Sequence, residues 1–140
     1  MNIIDTSSYW TPLCNLRSRL RLWVRVGWRT RGSTHETHVT PWGQLLTLPV
    51  DGCLEPSGGP IAIRDVLWAE FSTRRISGGM AGRPRQMIDI KDDILSGLRG
   101  AERTWEVREA TWSIEGLFDD EPVEVVRVLN PFGTTPEPLS

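Results

Sequence analysis

Alternation of apolar and polar residues with a period of two is the dominant pattern in this chain. In residues 19–26, RLRLWVRV, leucines and valines alternate with arginines and one tryptophan. This spacing predicts a strand that buries one face. In residues 122–129, PVEVVRVL, valines occur on both sides of the alternation. That segment is predicted to be a strand buried on one face and partly covered on the other.

Shorter apolar runs separated by polar turns predict further strands. They lie at residues 42–48, 61–71, 104–107 and 110–114. The run at 61–71 alternates with an irregularity near Asp65, and a two-turn helix starting at Ile63 is the alternative interpretation. Residues 92–98 can form one helical turn, with Asp92 at its start.

These elements predict an all-β fold, a small barrel or sandwich of five to seven short antiparallel strands. Long loops and at most one or two helical turns complete it. Residues 16–131 are expected to form this single β domain. Residues 1–15 show no sustained period and are expected to form an apolar N-terminal arm. Residues 132–140 are rich in proline and predict an extended C-terminal tail.

Composition points to one globular domain. The chain has 140 residues, of which 39% are hydrophobic and 24% charged, the balance of a soluble protein. Its apolar runs are only a few residues long, so no membrane span and no membrane partner are expected. The N-terminus lacks a secretory pattern, which predicts synthesis in the cytoplasm. Cys14 and Cys53 are interpreted as buried free thiols.

The net charge of −2 hides an asymmetry along the chain. Residues 1–50 carry six arginines against two acidic residues and have a charge of +4, which leaves −6 for residues 51–140. A general nucleic-acid binder is expected to be more basic. A protein that stacks on copies of itself fits the split, and so does an ordinary solvated surface.

Catalytic and metal-binding motifs are weak. His35 and His38 are three residues apart, whereas a zinc-binding HExxH helix needs a spacing of four. The glycine-rich run lacks the lysine and serine that end a phosphate-binding loop, and Cys14 has no local signature of a nucleophile. We therefore expect no enzyme activity, no metal and no cofactor.

Tryptophan is unusually abundant, with seven residues in the chain. The indoles can fill the core, anchor a protein interface or stack on sugars or bases. Trp10 lies in the predicted arm and Trp23 alternates with arginines, so both are expected to face outward. Together with Phe132 in the tail, they are the candidate interface residues.

Residues 77–85, SGGMAGRPR, predict a long mobile loop. Gly78, Gly79 and Gly82 remove the side chains that hold a fixed path, and a proline breaks any strand ladder. Four arginines flank or end this loop: Arg74, Arg75, Arg83 and Arg85. Such a cluster can bind the phosphates of DNA without recognising the base sequence.

The order of these parts resembles that of the head–tail connector proteins of long-tailed double-stranded DNA phages, specifically the small neck stopper group. The matching parts are the opening strand 20–26, DGCLEP at 51–56, the central strand 61–71 with the loop 77–85, the pair Asp92-Asp93, TWEV at 104–107 and the closing strand 123–128. The resemblance covers roughly residues 19–131.

The resemblance implies a structural virion protein without catalysis. Such proteins form a homo-oligomeric ring between the portal or adaptor and the tail, help to retain packaged DNA, and join head to tail. The arginine-flanked loop is then expected to face the DNA channel, or alternatively to be a solvated hairpin loop outside the ring. Two alternatives stay open: another virion joining protein such as a tail terminator or adaptor, and a stand-alone β-domain binding module that uses surface tryptophans.

Overall fold

The computed structural model describes residues 6–29, 37–48, 52–77, 81–84, 86–114 and 118–131. In chain order the elements are α1 (Thr6–Leu20), β1 (Val24–Trp28), β2 (His38–Val39), β3 (Leu46–Thr47), β4 (Cys53–Pro56), β5 (Ile61–Ala62), a 3₁₀ turn (Ile63–Asp65), β6 (Val66–Ser72), β7 (Arg74–Ser77), β8 (Gln86–Asp89), α2 (Lys91–Gly100), β9 (Trp105–Ile114) and β10 (Phe118–Leu129). Strands predominate, so the predicted β-rich class is confirmed.

The largest sheet is antiparallel and has five strands in the order β2-β1-β6-β10-β9. A three-stranded sheet, β3-β4-β5, and the hairpin β7-β8 accompany it. In the part of the chain that the structure describes, β2 and β9 are the two edges of the large sheet. The sheet is therefore open, which agrees with the predicted sandwich rather than the predicted barrel.

The main core lies on one face of the five-stranded sheet, which we call the first face. Cα partners across the sheet place Val24, Phe71 and Val126 in one row, and Val26, Ala69 and Val128 in the next. All six are fully buried. Both helices contribute to the same cluster through Trp10, Leu13, Leu16, Ile94 and Leu98. The first face is thus a conventional apolar core.

The N-terminal arm predicted for residues 1–15 is wrong where the structure describes it. Residues from Thr6 onward form a 15-residue helix with Pro12 inside it. Trp10 and Leu13 are 0% exposed, so Trp10 fills the core and does not face outward. The spacing of Trp10, Leu13 and Leu16 follows one helical face. Pro12 concealed that pattern because proline normally breaks a helix interior.

The end of α1 explains why residues 19–26 resembled one long strand. Arg21 has a φ of 55°, and the amide of Leu22 donates to the carbonyl of Arg17 while that of Arg21 donates to Ser18. These two bonds form a Schellman motif, which usually has glycine in the left-handed position. With arginine there instead, the helix end carries no sequence signal, and the strand begins only at Val24.

Three other predicted elements differ in length. The strand predicted at 42–48 is limited to the two residues of β3. The structure has one continuous strand, β9, where two short strands were predicted at 104–107 and 110–114. Helix α2 has ten residues, about three turns, rather than a single turn. Its N-cap is Ile90, and the side chain of Asp89, not Asp92, accepts a hydrogen bond from the amide of Lys91 at 3.0 Å. The helices are therefore longer than the period-two pattern indicated.

The irregularity predicted near Asp65 is present. The run 61–71 divides into β5, the 3₁₀ turn and β6, so the strand interpretation and the helical alternative each describe part of it. The side-chain amide of Asn130 donates to the carbonyl oxygens of Ile63 and Val66 at 2.7 and 2.8 Å. These bonds fasten the end of β10 to the 3₁₀ turn.

The described helices are too short or too polar to cross a lipid bilayer.

Candidate interaction surfaces

An ion triad occupies the opposite face of the five-stranded sheet, which we call the second face. Arg25 on β1, Glu70 on β6 and Arg127 on β10 are Cα partners in one row. Glu70 is 1% exposed. Its Oε1 accepts from Nε of Arg25 at 2.8 Å, and its Oε2 accepts from Nε of Arg127 at 2.8 Å. Both carboxylate oxygens therefore have charge-assisted bonds, as a buried charge requires.

Indole rings cover the arginines of this triad. The guanidinium of Arg25 lies 4.8 Å from the centre of the Trp42 ring, and that of Arg127 lies 4.1 Å from the centre of the Trp68 ring. Cation–π contacts of this kind compensate part of the lost hydration. The Trp68 ring lies flat against Gly27, where any Cβ atom would overlap it. The triad thus depends on a glycine within strand β1.

A small apolar cluster continues the second face beyond the triad. Val123 and Val125 are buried there, with Trp23, Trp42 and Ala110 packed against them. Trp23, predicted to face outward, therefore packs within its own chain and is half-buried. None of the six tryptophans whose side chains the structure describes is fully exposed. A flat platform of exposed indoles is thus not a feature of the described surface.

A groove opens at one end of the five-stranded sheet. Its volume is about 450 Å³, and its walls come from β1, β2, the Gly58-Gly59-Pro60 turn and the 3₁₀ turn. The rings of Trp28 and His38 stack in it, with centroids 4.7 Å apart and planes inclined by 31°. We call it the Trp28–His38 groove. Pro41 and Pro60 line the groove together with these two rings.

Strand β9 forms a long edge of the sheet. It has ten residues and is hydrogen-bonded to β10 on one side, while the described residues supply no strand on its other side. Val107, its third residue, is 42% exposed. Glu106, Arg108 and Glu109 are also exposed. Among the described residues, the edge therefore has no neighbouring strand, and its exposed side chains at positions 106–109 are of mixed charge with one apolar member.

The predicted arginine-rich loop is the end of a hairpin formed by β7 and β8. Arg74 and Arg83 are exposed, and Gly82 has a φ of 77°. Arg75 differs, because it is half-buried and donates to the carbonyl of Leu20 at 3.3 Å. The structure thus separates Arg75 from the other cations. Gly78, Gly79 and Arg85, like Phe132 in the tail, lie outside the described residues.

Both cysteines are free and half-buried. Burial raises the pKa of Cys14 to about 11, although the neighbouring Arg17 opposes the shift. A thiol with that pKa is almost fully protonated at neutral pH and is a poor nucleophile. Within the described residues, no three histidine, cysteine or acidic side chains are grouped closely enough to hold a metal ion.

The triad and the groove were not found by sequence reasoning. Glu70 is the one acidic residue in the apolar run VLWAEF, and Gly27 interrupts a strand of valines. An acidic residue in an apolar run indicates a buried charge that needs partners, and a glycine within a strand indicates a close approach of another group. His38 and Trp28 offered no such signal, because only the pairing of β1 with β2 brings them together.

Comparisons with protein-family models, with curated proteins and with solved structures each found no match.

Proposed function

We propose that this chain is a structural virion protein of a phage neck, forming a ring between the portal or adaptor and the tail. The observation that carries the proposal is the ten-residue edge of β9. Long edge strands attract other chains, and monomeric proteins usually cover or interrupt them. In a ring, each copy covers the edge of its neighbour.

The two open edges of the sheet are different surfaces, which supports a head-to-tail arrangement of the copies. The described residues of β2 carry no charge, whereas Glu106, Arg108 and Glu109 of β9 are exposed and together have a net charge of −1. A β9 edge that faces the β2 edge of the next copy therefore places no like charges opposite each other. Such a contact uses two different surfaces, and it forms a ring when the rotation between copies closes.

The β7-β8 hairpin is the proposed contact with packaged DNA. Arg74 and Arg83 are exposed, and neither has an acidic partner within the described residues. Copied around a ring, they form a belt of positive charge that binds phosphates without sequence preference. Arg75 is not part of this surface, because it bonds to α1 of its own chain.

Assembly tests the proposal most directly. The full chain is expected to form closed rings of one fixed stoichiometry in native mass spectrometry and electron micrographs. Val107→Lys places a charge at the β9 edge and is expected to shift the protein to monomers. Met87→Lys is the matched control, since Met87 is 37% exposed but lies on β8. Rings that form equally well with both substitutions exclude the β9 contact.

The virion role requires a second measurement. The full chain is expected to bind purified portal, adaptor or tail components in the same mass spectra. A protein that stays monomeric alone and in every such mixture contradicts both the ring and the neck role. For the hairpin, Arg74→Gln with Arg83→Gln is expected to increase DNA leakage from filled heads. Arg19→Gln with Arg21→Gln, two exposed arginines at the end of α1, is the matched control.

A further inference from the structure

We propose that the Trp28–His38 groove binds the proline-rich C-terminal tail, residues 131–140, of the neighbouring copy. This inference rests on the proposed ring and adds a specific contact to it. Each copy then receives one tail and donates its own.

The chemistry of the groove suits an extended proline-rich segment. Trp28 and His38 present stacked rings, and Pro41 and Pro60 add flat apolar surface beside them. Gly58 and Gly59 have φ values of 111° and 117°, which only glycine adopts readily. Because glycine has no side chain, no side-chain atoms project from this side of the groove. Aromatic grooves of this kind bind polyproline II segments, whose rigidity reduces the entropy lost on binding.

The tail has the matching composition. Its sequence, PFGTTPEPLS, contains three prolines, one aromatic residue, one leucine and a single charged residue, Glu137. Beside the groove lies Arg29, whose amide donates to Asp65 and whose guanidinium donates to Thr37. Arg29 is half-buried, and the positive charge of its guanidinium is opposite in sign to the carboxylate of Glu137.

The tail also begins at the correct end of the sheet. Asn130 is fastened to the 3₁₀ turn, whose residue Asp65 lines the groove. Trp28, Val66 and Leu129 lie near this same end, as the Cα partners show. Nine residues in a polyproline II conformation span about 28 Å. The tail therefore has the length to cross several strands.

The strand order favours the groove of the neighbour over that of the same chain. With about 4.8 Å between strands, the path from β10 over β9 to the β2 of the next copy is about 10 Å, whereas the path over β6 and β1 to its own β2 is about 14 Å. The path within one chain must also pass the 3₁₀ turn, which joins Asn130 on one side to Arg29 on the other. In the proposed ring, the path to the groove of the neighbour crosses β9 alone.

Photo-cross-linking of the full chain tests this contact. A diazirine analogue replaces Leu139, and chains of normal and heavy isotopic composition are mixed before assembly. We expect cross-links from residue 139 of one isotope to residues 38–41 or 58–61 of the other. His38→Ala is expected to reduce their yield about tenfold, the effect of losing a contact worth about 1.4 kcal/mol. His35→Ala, the only other histidine substitution available, is the matched control and leaves the yield unchanged.

Each result distinguishes the tail contact from the ring itself. Rings that form without any cross-link to the groove overturn the tail contact and leave the ring intact. Cross-links only between residues of the same isotope show that the tail binds its own chain, which also overturns the proposal. If the protein is monomeric at every concentration, both the ring and the binding of a tail by the neighbouring copy are excluded. Because His38 is exposed, its replacement by alanine is compatible with folding.

Discussion

The two faces of the five-stranded sheet are stabilised by different physics, although adjacent residues of one strand supply them. Phe71 of β6 lies in the apolar core of the first face, whereas Glu70 lies in the ion triad of the second face. Both are almost fully buried. The first face gains from removing apolar surface from water. The second face stabilises the fold only if each charge keeps its partners, because burial of an unpaired ion costs several kcal/mol.

On each face, the effect of a substitution on stability depends on what the lost side chain leaves behind. A residue lost from the first face leaves a cavity, which neighbouring side chains partly fill. A residue lost from the triad leaves a charge without its partner, and no repacking of apolar atoms compensates for it. A second substitution that removes the remaining charges is therefore expected to restore stability on the second face but not on the first.

The largest effects are expected at the adjacent pair. Phe71→Ala is expected to reduce the free energy of unfolding by about 3–5 kcal/mol through the cavity. Glu70→Ala is expected to reduce it by about 3–5 kcal/mol because two arginines lose their counter-ion. Urea denaturation measures both. Glu124→Ala is the control, since the Lys91–Glu124 pair is exposed and is worth at most about 1 kcal/mol.

A second substitution then separates the two causes. Changing Arg25 and Arg127 to Met in the Glu70→Ala background is expected to recover most of the lost stability, because no buried charge remains. The same pair of changes is expected not to rescue Phe71→Ala. Equal recovery in both backgrounds contradicts the distinction between the faces.

Gly27→Ala is expected to lower stability by about 1–3 kcal/mol through overpacking. The new Cβ atom overlaps the Trp68 ring, which must then leave Arg127. Thermal unfolding measures the change, and Trp68→Leu in the same chain is expected to restore part of it. Gly100→Ala is the control, as no atom lies within 4 Å of its Cβ position. A variant Gly27→Ala as stable as the parent contradicts the packing described for the second face.

A smaller effect is expected at the helix that covers the first face. Arg21→Gly is expected to raise the free energy of unfolding by about 1 kcal/mol, because Arg21 adopts a left-handed conformation that L-residues disfavour. Arg19→Gly is the matched change inside α1 and is expected to lower stability by about 1 kcal/mol. Denaturant midpoints of the two variants should move in opposite directions. A loss of stability in both contradicts the assigned Schellman motif.

An effect that appears only at alkaline pH concerns Cys14, which packs against the first-face core. Burial raises its pKa from the ordinary 9.0 to about 11, so the folded chain keeps the proton that the unfolded chain loses. The resulting stability is present below pH 9 and is lost as the pH rises from 9 towards 11. Denaturation at several pH values measures the loss. Cys14→Ala removes this contribution, so a parent with the same alkaline profile as the variant contradicts the assignment.

Strand positions could be predicted wherever local spacing decides them. The alternation around Val125 and the irregularity near Asp65 were both present in the sequence and are confirmed. In each case the signal comes from neighbouring residues in the chain, which is why a single sequence contains it.

The rest depends on contacts between distant residues. Arg25, Glu70 and Arg127 meet only through strand register, and period-two patterns do not specify which strands are neighbours. Helix α1 was missed because Pro12 and Arg21 occupy positions where helices usually have other residues. The Trp28–His38 groove likewise requires the pairing of two strands separated by residues outside the described ranges. Sequence reasoning thus predicted elements and missed their assembly.

The overlap between Gly27 and the Trp68 ring also restricts the routes by which this protein can evolve. A lineage that acquires a larger residue at position 27 while Trp68 is present passes through a destabilised intermediate. The reverse order, in which the tryptophan is exchanged for a smaller residue first, avoids the overlap. Descendants are therefore expected to keep both residues or to have lost the indole before the glycine. The two positions should change in a fixed historical order, although forty residues separate them in the chain.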